Sequence, residues 1–170
     1  MNVEMSFRKM ASAAGPMKLT ESLDISHLIR NNNEITAVSP MQVELTITAL
    51  PEGVVDVQGT LSAEADMLCS RCLGNVHEHL NMKFAEQFKQ GTEPEEVEEE
   101  DDTLYMEEDT VNLVPFLEEY FLLHLPFAPL CKSDCKGLCP SCGTDLNESS
   151  CDCDNTPIDP RLAGLKDFFK

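Results

Sequence analysis

The sequence predicts an α+β domain: an antiparallel β-sheet of hairpin-connected strands packed with one long helix, then a Cys-rich zinc-knuckle tail and a short C-terminal helix. Three observations carry this. Apolar and polar residues alternate with period two across residues 41–66, the mark of half-buried strands. Residues 112–125 switch to helical spacing. Six of the eight cysteines then fall within residues 131–153. Strands followed by a helix give an antiparallel sheet with the helix segregated to one face or end.

Residues 1–16 read as a flexible extension, since regular patterning begins only near Met17. Leu19–Ile29, carrying Leu23, Ile25 and Leu28 between polar residues, suggests a weak strand running into a turn at Asn31–Asn33. From Met41 to Leu50, Val43, Leu45 and Ile47 alternate with Glu44, Thr46 and Thr48, and Pro51-Glu52-Gly53 follows as a turn. Val54–Asp66 repeats the pattern, with Val55, Val57, Leu61, Ala63 and Ala65 on one side and Asp56, Gln58, Thr60, Ser62 and Glu64 on the other. Two such runs joined by a short turn make a hairpin with one wet face. A third strand leaves Cys72 with Val76, Leu80, Met82 and Phe84 on one face and His77, His79, Asn81 and Lys83 on the other. Residues 93–109 hold 11 acidic residues in 17, a density that repels itself and stays solvated; Thr103–Met106 is a candidate short strand within this loop or interaction arm. The helix has Asn112 as its expected cap and Pro115 in its first turn, and Pro126 stops it. Asp159-Pro160 opens the short last helix. Residues 17–170 are thus expected to form a single domain, with the acidic loop at 93–109 and the zinc segment at 131–153.

Charge narrows the partners. Lys and Arg number 12 against 31 Asp and Glu, a formal charge of −19. Filled all-thiolate sites would add to it, because eight thiolates outweigh two divalent cations by four charges. Such a field repels phosphate backbones and attracts basic proteins. No apolar run is long enough to span a bilayer, and Arg8 and Lys9 do not lead into the apolar stretch of a secretion signal. The expected location is the cytoplasm, where thiols stay reduced and a disulfide framework, the competing reading of eight cysteines, is disfavoured.

The cysteines point to two structural zinc ions. In Gly137-Leu138-Cys139-Pro140-Ser141-Cys142-Gly143, two intervening residues bring both sulfurs to one side of a tight turn, and the glycine lets amides face the thiolates. Cys151-Asp152-Cys153 follows after eight residues and can close that tetrahedron. Cys69, Cys72, Cys131 and Cys135 then form a second site, closing a loop of 58 intervening residues so that binding becomes folding energy. The alternative groups Cys131, Cys135, Cys139 and Cys142, leaving Cys69 and Cys72 with Cys151 and Cys153; a C-x-C pair is the less usual spacing, which allows one of Cys151 and Cys153 to be idle. Iron is the competing occupant of all-sulfur sites. Closed, electron-rich sulfur sites are poor at activating water, so no catalytic residue is assigned. Neither C-x-x-C opens a helix after a parallel βαβ unit, as a thiol oxidoreductase would require. His27 and His124 read as packing or surface residues; His77 and His79, near Cys72, read as surface histidines that could serve as spare ligands. No nucleophile–His–acid order, phosphate loop or dinucleotide glycine pattern occurs.

The hairpin, Cys69-Ser70-Arg71-Cys72-Leu73, the helix running into Leu125-Pro126, and Asp159-Pro160-Arg161-Leu162-Ala163 together resemble the YceD family, known as large ribosomal RNA subunit accumulation proteins, over about residues 19–170. The resemblance implies a non-enzymatic role in synthesis, processing or stability of large-subunit (23S) rRNA, and a genomic association with a small basic ribosomal protein of the large subunit. The charge favours a basic large-subunit ribosomal protein or assembly factor as direct partner, with the acidic arm as the attracting element. Direct rRNA contact would have to use Arg71, Lys132, Lys136 and Lys83.

Overall fold

A computed structural model of the chain describes residues 3–92 and 103–153. It falls into two compact units, Met1–Met67 with Val76–Phe127, and Leu68–Asn75 with Ala128–Lys170. The expected C-terminal helix at Asp159-Pro160 and most of the acidic arm lie outside the described residues.

The first unit is built on a sheet. Its strands are β2 (Met17–Leu23), β3 (Ile35–Val38), β4 (Met41–Ala49), β5 (Val54–Leu68), β6 (Asn75–Gln90) and β7 (Leu104–Met106), ordered β2-β4-β5-β6-β7 with β3 also on β5. The predicted hairpin is β4–β5: antiparallel pairing sets Val43 opposite Leu61 and Ile47 opposite Val57. All four side chains are buried, so the alternation in the sequence is the division between core and solvent. Leu45 sits opposite Gly59, where a Cβ would run into the Glu44 carbonyl; the glycine permits that close approach. In β6, Met82, Phe84 and Phe88 face the core. Helix α2 (Val114–His124) buries Leu117 and Phe121, and its Tyr120 and Phe116 rings pack on Phe84 and Phe88 at centroid distances of 4.8 and 5.2 Å.

Four expectations need correction. The long helix has 11 residues, and its apolar circumference is only partly covered, since Leu122 and Leu123 stay exposed. Its cap is Leu113 rather than Asn112, whose Oδ1 accepts from the Val114 amide at 3.1 Å. The sheet is mixed, because β7 runs parallel to β6 with Phe88 opposite Leu104. Within residues 1–16, β1 (Glu4–Ser6) pairs antiparallel with β8 (Thr110–Asn112) and runs into α1 (Phe7–Ser12), so this segment is not a loose extension. Val3, Met5, Phe7 and Met10 are buried, which supplies the apolar area that orders it. Asp109 fastens it further, accepting from Ser6 Oγ at 3.0 Å and from the Arg8 amide at 3.1 Å. Among the described residues, no helix is long and apolar enough to cross a membrane.

Candidate metal centres

The second unit is organised by sulfur. The loop Cys69–Cys72 is closed by the Cys69 amide donating to the Gly74 carbonyl at 2.8 Å and the Leu73 amide to the Cys69 carbonyl at 2.9 Å. Leu73 takes a positive φ of 59°, the left-handed corner of this knuckle. The second C-x-x-C repeats the design: the Gly143 amide donates to the Cys139 carbonyl and the Cys139 amide to the Thr144 carbonyl, both at 2.8 Å. Gly143 turns the chain at φ 73°. Gly137 is needed twice over, by its φ of 76° and because a Cβ there would stand 2.8 Å from the Arg71 carbonyl oxygen.

These turns bring the eight cysteines into two groups of four, Cys69 with Cys72, Cys131 and Cys135, and Cys139 with Cys142, Cys151 and Cys153; within each, the sulfurs lie within 4.8 Å of one another. This is the first of the two groupings that the spacing allowed, and both Cys151 and Cys153 take part. Cys69 Sγ lies 3.8 Å from Cys135 Sγ, and Cys72 Sγ 3.6 Å from Cys131 Sγ. Four thiolates held about 2.3 Å from one ion at tetrahedral angles stand about 3.8 Å apart. The separations therefore fit a metal-centred tetrahedron and are far beyond a disulfide bond. Each group can hold one ion closed to solvent by its own ligands.

The proton distribution fits the same chemistry. Amide donation from Cys131, then Cys72, lowers the Cys69 thiol to about 6, whereas sharing its proton with the Cys72 sulfur raises Cys131 to about 12. In the second group the Thr144 hydroxyl, 3.1 Å from Cys142 Sγ, and then the Thr144 amide lower Cys142, while the Cys142 sulfur raises Cys153 to about 12. In each group one thiol is lowered and another raised, chiefly because neighbouring sulfurs and amides share hydrogen bonds. A divalent ion takes the place of the protons.

Sequence reasoning missed the residue that braces the knuckles. Asn147 donates from Nδ2 to Cys135 Sγ at 3.4 Å and accepts from the Lys136 amide at 2.9 Å. Asp145 holds it, accepting from Asn147 Nδ2 at 2.7 Å and from its amide at 2.8 Å. The available signal was the Asp145-Leu146-Asn147 Asx-turn spacing between two sulfur pairs. Arg71, an expected RNA contact, donates from Nη1 to the Cys135 carbonyl at 2.7 Å. The histidines stand apart from the sulfur groups: His27 pairs with Glu118 at 3.1 Å and His124 Nδ1 with the Tyr120 carbonyl at 2.8 Å. His77 and His79 lie beside Asp66 and Glu64 on the exposed side of β5 and β6.

The fold thus comprises a sheet unit and a compact unit whose two four-cysteine groups could each hold a metal ion. The chain belongs to the YceD family: residues 57–169 match the family described as "Large ribosomal RNA subunit accumulation protein YceD". That span contains all eight cysteines. Among curated proteins, the chain is 34% identical over 130 residues to an uncharacterized protein of Mycobacterium tuberculosis, covering 76% of this chain and 62% of the relative. It is 34% identical over 109 residues to an uncharacterized protein of Mycobacterium leprae, covering 64% and 50%. It is 29% identical over 151 residues to the uncharacterized protein YlbN of Bacillus subtilis, covering 88% and 86%. The chain thus spans between half and two thirds of the length of the mycobacterial relatives. No solved structure matches.

Proposed function

We propose that this protein is a non-enzymatic ribosome-biogenesis factor that supports synthesis, processing or stability of large-subunit rRNA, acting through a basic ribosomal protein or assembly factor. The observation that carries the reading is the family match, whose span takes in both sulfur groups. Two structural zinc ions hold the knuckles in shape, since zinc is the usual occupant of closed tetrahedral sulfur sites. All-sulfur ligation leaves no open position for a substrate, which favours a binding role over catalysis. The charge of −19 favours a basic protein as the direct partner, with residues 93–109 as the attracting arm.

Depletion of the protein tests the role: the ratio of mature large-subunit to small-subunit rRNA falls, and large subunits fall selectively on a gradient. An unchanged ratio rules the role out. Replacing the acidic residues of 93–102 by Gln or Asn, which spares β7 and Asp109, weakens capture of the basic partner and flattens its salt dependence; unchanged affinity rules out the arm. Metal counting tests the occupant: the chain carries two zinc ions, and Cys72→Ser loses one while the Cys139 group keeps its own. Direct rRNA binding is the weaker reading, because the Arg71 guanidinium is engaged within the knuckle and leaves Lys132, Lys136 and Lys83 as its cations. It would show as RNA affinity at moderate salt that falls as salt rises.

A further inference from the structure

Away from the cysteines, a second kind of donor set stands on the solvent face of the sheet. His77 and His79 are two apart on β6, so both side chains project from the same face. Glu64 and Asp66 are likewise two apart on β5, the neighbouring strand. One ring nitrogen from each histidine and one Glu64 oxygen lie within 4.8 Å of one another. The two rings meet edge to face with centroids 4.8 Å apart. His79 Nδ1 is 3.3 Å from Glu64 Oε1, and His77 Nδ1 is 2.6 Å from Asp66 Oδ1.

We infer that His77, His79 and Glu64 form a third metal site, an exchangeable one, for a borderline divalent transition ion such as Zn²⁺, with Asp66 as its positioning residue. In the tautomer protonated at Nδ1, His77 donates to Asp66 and keeps its lone pair on Nε2. That carboxylate–imidazole arrangement recurs behind metal-ligating histidines and fixes both tautomer and ring orientation. Two imidazoles and a carboxylate suit zinc, nickel or copper rather than magnesium or calcium, which take oxygen. Three protein donors leave at least one coordination position to water, unlike the closed sulfur groups. The side chains are between 50 and 72% exposed, so an ion here meets solvent directly and exchanges. The carboxylates also neutralise the incoming charge, so binding leaves this surface nearly neutral where it was negative.

The test starts from full-length protein whose sulfur sites are filled, titrated with Zn²⁺ and followed by calorimetry and native mass spectrometry. The wild type takes up one further equivalent, which a weak chelator removes while the sulfur-bound ions stay. Ring signals of His77 and His79 move with this equivalent, and those of His27 and His124 do not. The double variant His77→Gln, His79→Gln keeps its fold by circular dichroism, because both side chains are exposed, and loses the further equivalent alone. Asp66→Asn weakens the further equivalent about 10–100-fold without changing the other ions. A wild type that takes up nothing further, or a double variant that still takes up the extra ion, overturns the site. An Asp66→Asn variant with unchanged affinity overturns the positioning role.

Discussion

The two units of this chain are held together by different physics. The sheet unit buries a continuous set of aliphatic and aromatic side chains, among them Ile47, Leu61, Phe84, Phe88 and Phe121, all at 1% exposure or less. In the cysteine unit, the buried described residues are Cys69, Pro129, Cys135, Gly137 and Cys139, with no buried aliphatic or aromatic chain among them. Burial of apolar area stabilises the first without help. Among its described residues the second buries too little apolar area to fold on burial, and it is the kind of segment for which metal binding can supply folding free energy. The lesson is that the two cysteine groups, rather than a buried apolar cluster, organise the described part of their unit.

If zinc fills both groups as proposed, removing it is the largest perturbation, because structural zinc contributes about 10–16 kcal/mol of apparent binding free energy in small knuckles. A strong chelator under reducing conditions is expected to abolish amide protection at residues 69–74 and 131–147. The far-ultraviolet signal of the sheet and the protection of β4 and β5 should survive. Loss of both regions in a single transition would break the contrast and mean that the sheet depends on the knuckles.

The converse perturbation is Phe88→Ala. Phe88 is fully buried and packs edge-on against Phe116 of α2, so truncation leaves a cavity and should cost about 3–5 kcal/mol. Denaturant titration should show the midpoint falling while zinc stoichiometry holds at its wild-type value. A loss of metal alongside the loss of stability would again show that the units are not energetically separate.

These two sources of stability differ in how plainly a sequence displays them. The β4–β5 hairpin was legible because one face of each strand is dry, so Val43, Leu45, Ile47, Val57 and Leu61 had to alternate. The sulfur groups were legible as a short choice of groupings, because C-x-x-C turns impose local geometry, but choosing between them takes the path of the chain. The order in residues 4–12 was hidden because its partners, Asp109 and residues 110–112, lie about a hundred positions away. Strand β3 is only four residues long, with a register shift between Ile35 and Ala37 that blurs its period. Strand β7 was legible as the candidate Thr103–Met106, but its parallel pairing with β6 was not, because a three-residue run carries no sign of its partner or direction. Asn147 was invisible because a single amide has no periodicity; its meaning depends on a sulfur that folding delivers to it.

Asn147→Ala refines the contrast at smaller scale. It removes the donor to Cys135 Sγ and the acceptor for the Lys136 amide without touching a ligand. Zinc affinity of the Cys69 group should fall about 10–100-fold, as for other outer-shell partners, measured by competition with a chromophoric chelator. The Cys139 group and the sheet's denaturant midpoint should not move. Equal weakening of both groups would show that Asn147 braces the whole unit rather than one sulfur.

The smallest effect concerns a polar group at the edge of the apolar unit. Tyr120 OH lies 3.4 Å from the Ala85 carbonyl, and burial, reinforced by the nearby Glu86 charge, raises its pKa above the ordinary 10.0. The folded state therefore holds this proton more tightly than the unfolded chain does. Its contribution to stability is complete below pH 10 and disappears as pH rises through the raised value. Spectrophotometric titration should show the Tyr120 phenolate forming late, and that late step should vanish in Tyr120→Phe. The same variant should change stability at neutral pH by no more than about 1 kcal/mol, since it gives up one long hydrogen bond and keeps the ring against Phe84. It should also flatten the alkaline decline of the sheet unit. A decline that persists unchanged in Tyr120→Phe would place the alkaline weakness elsewhere and leave the Tyr120 hydroxyl without a role in holding α2 to β6.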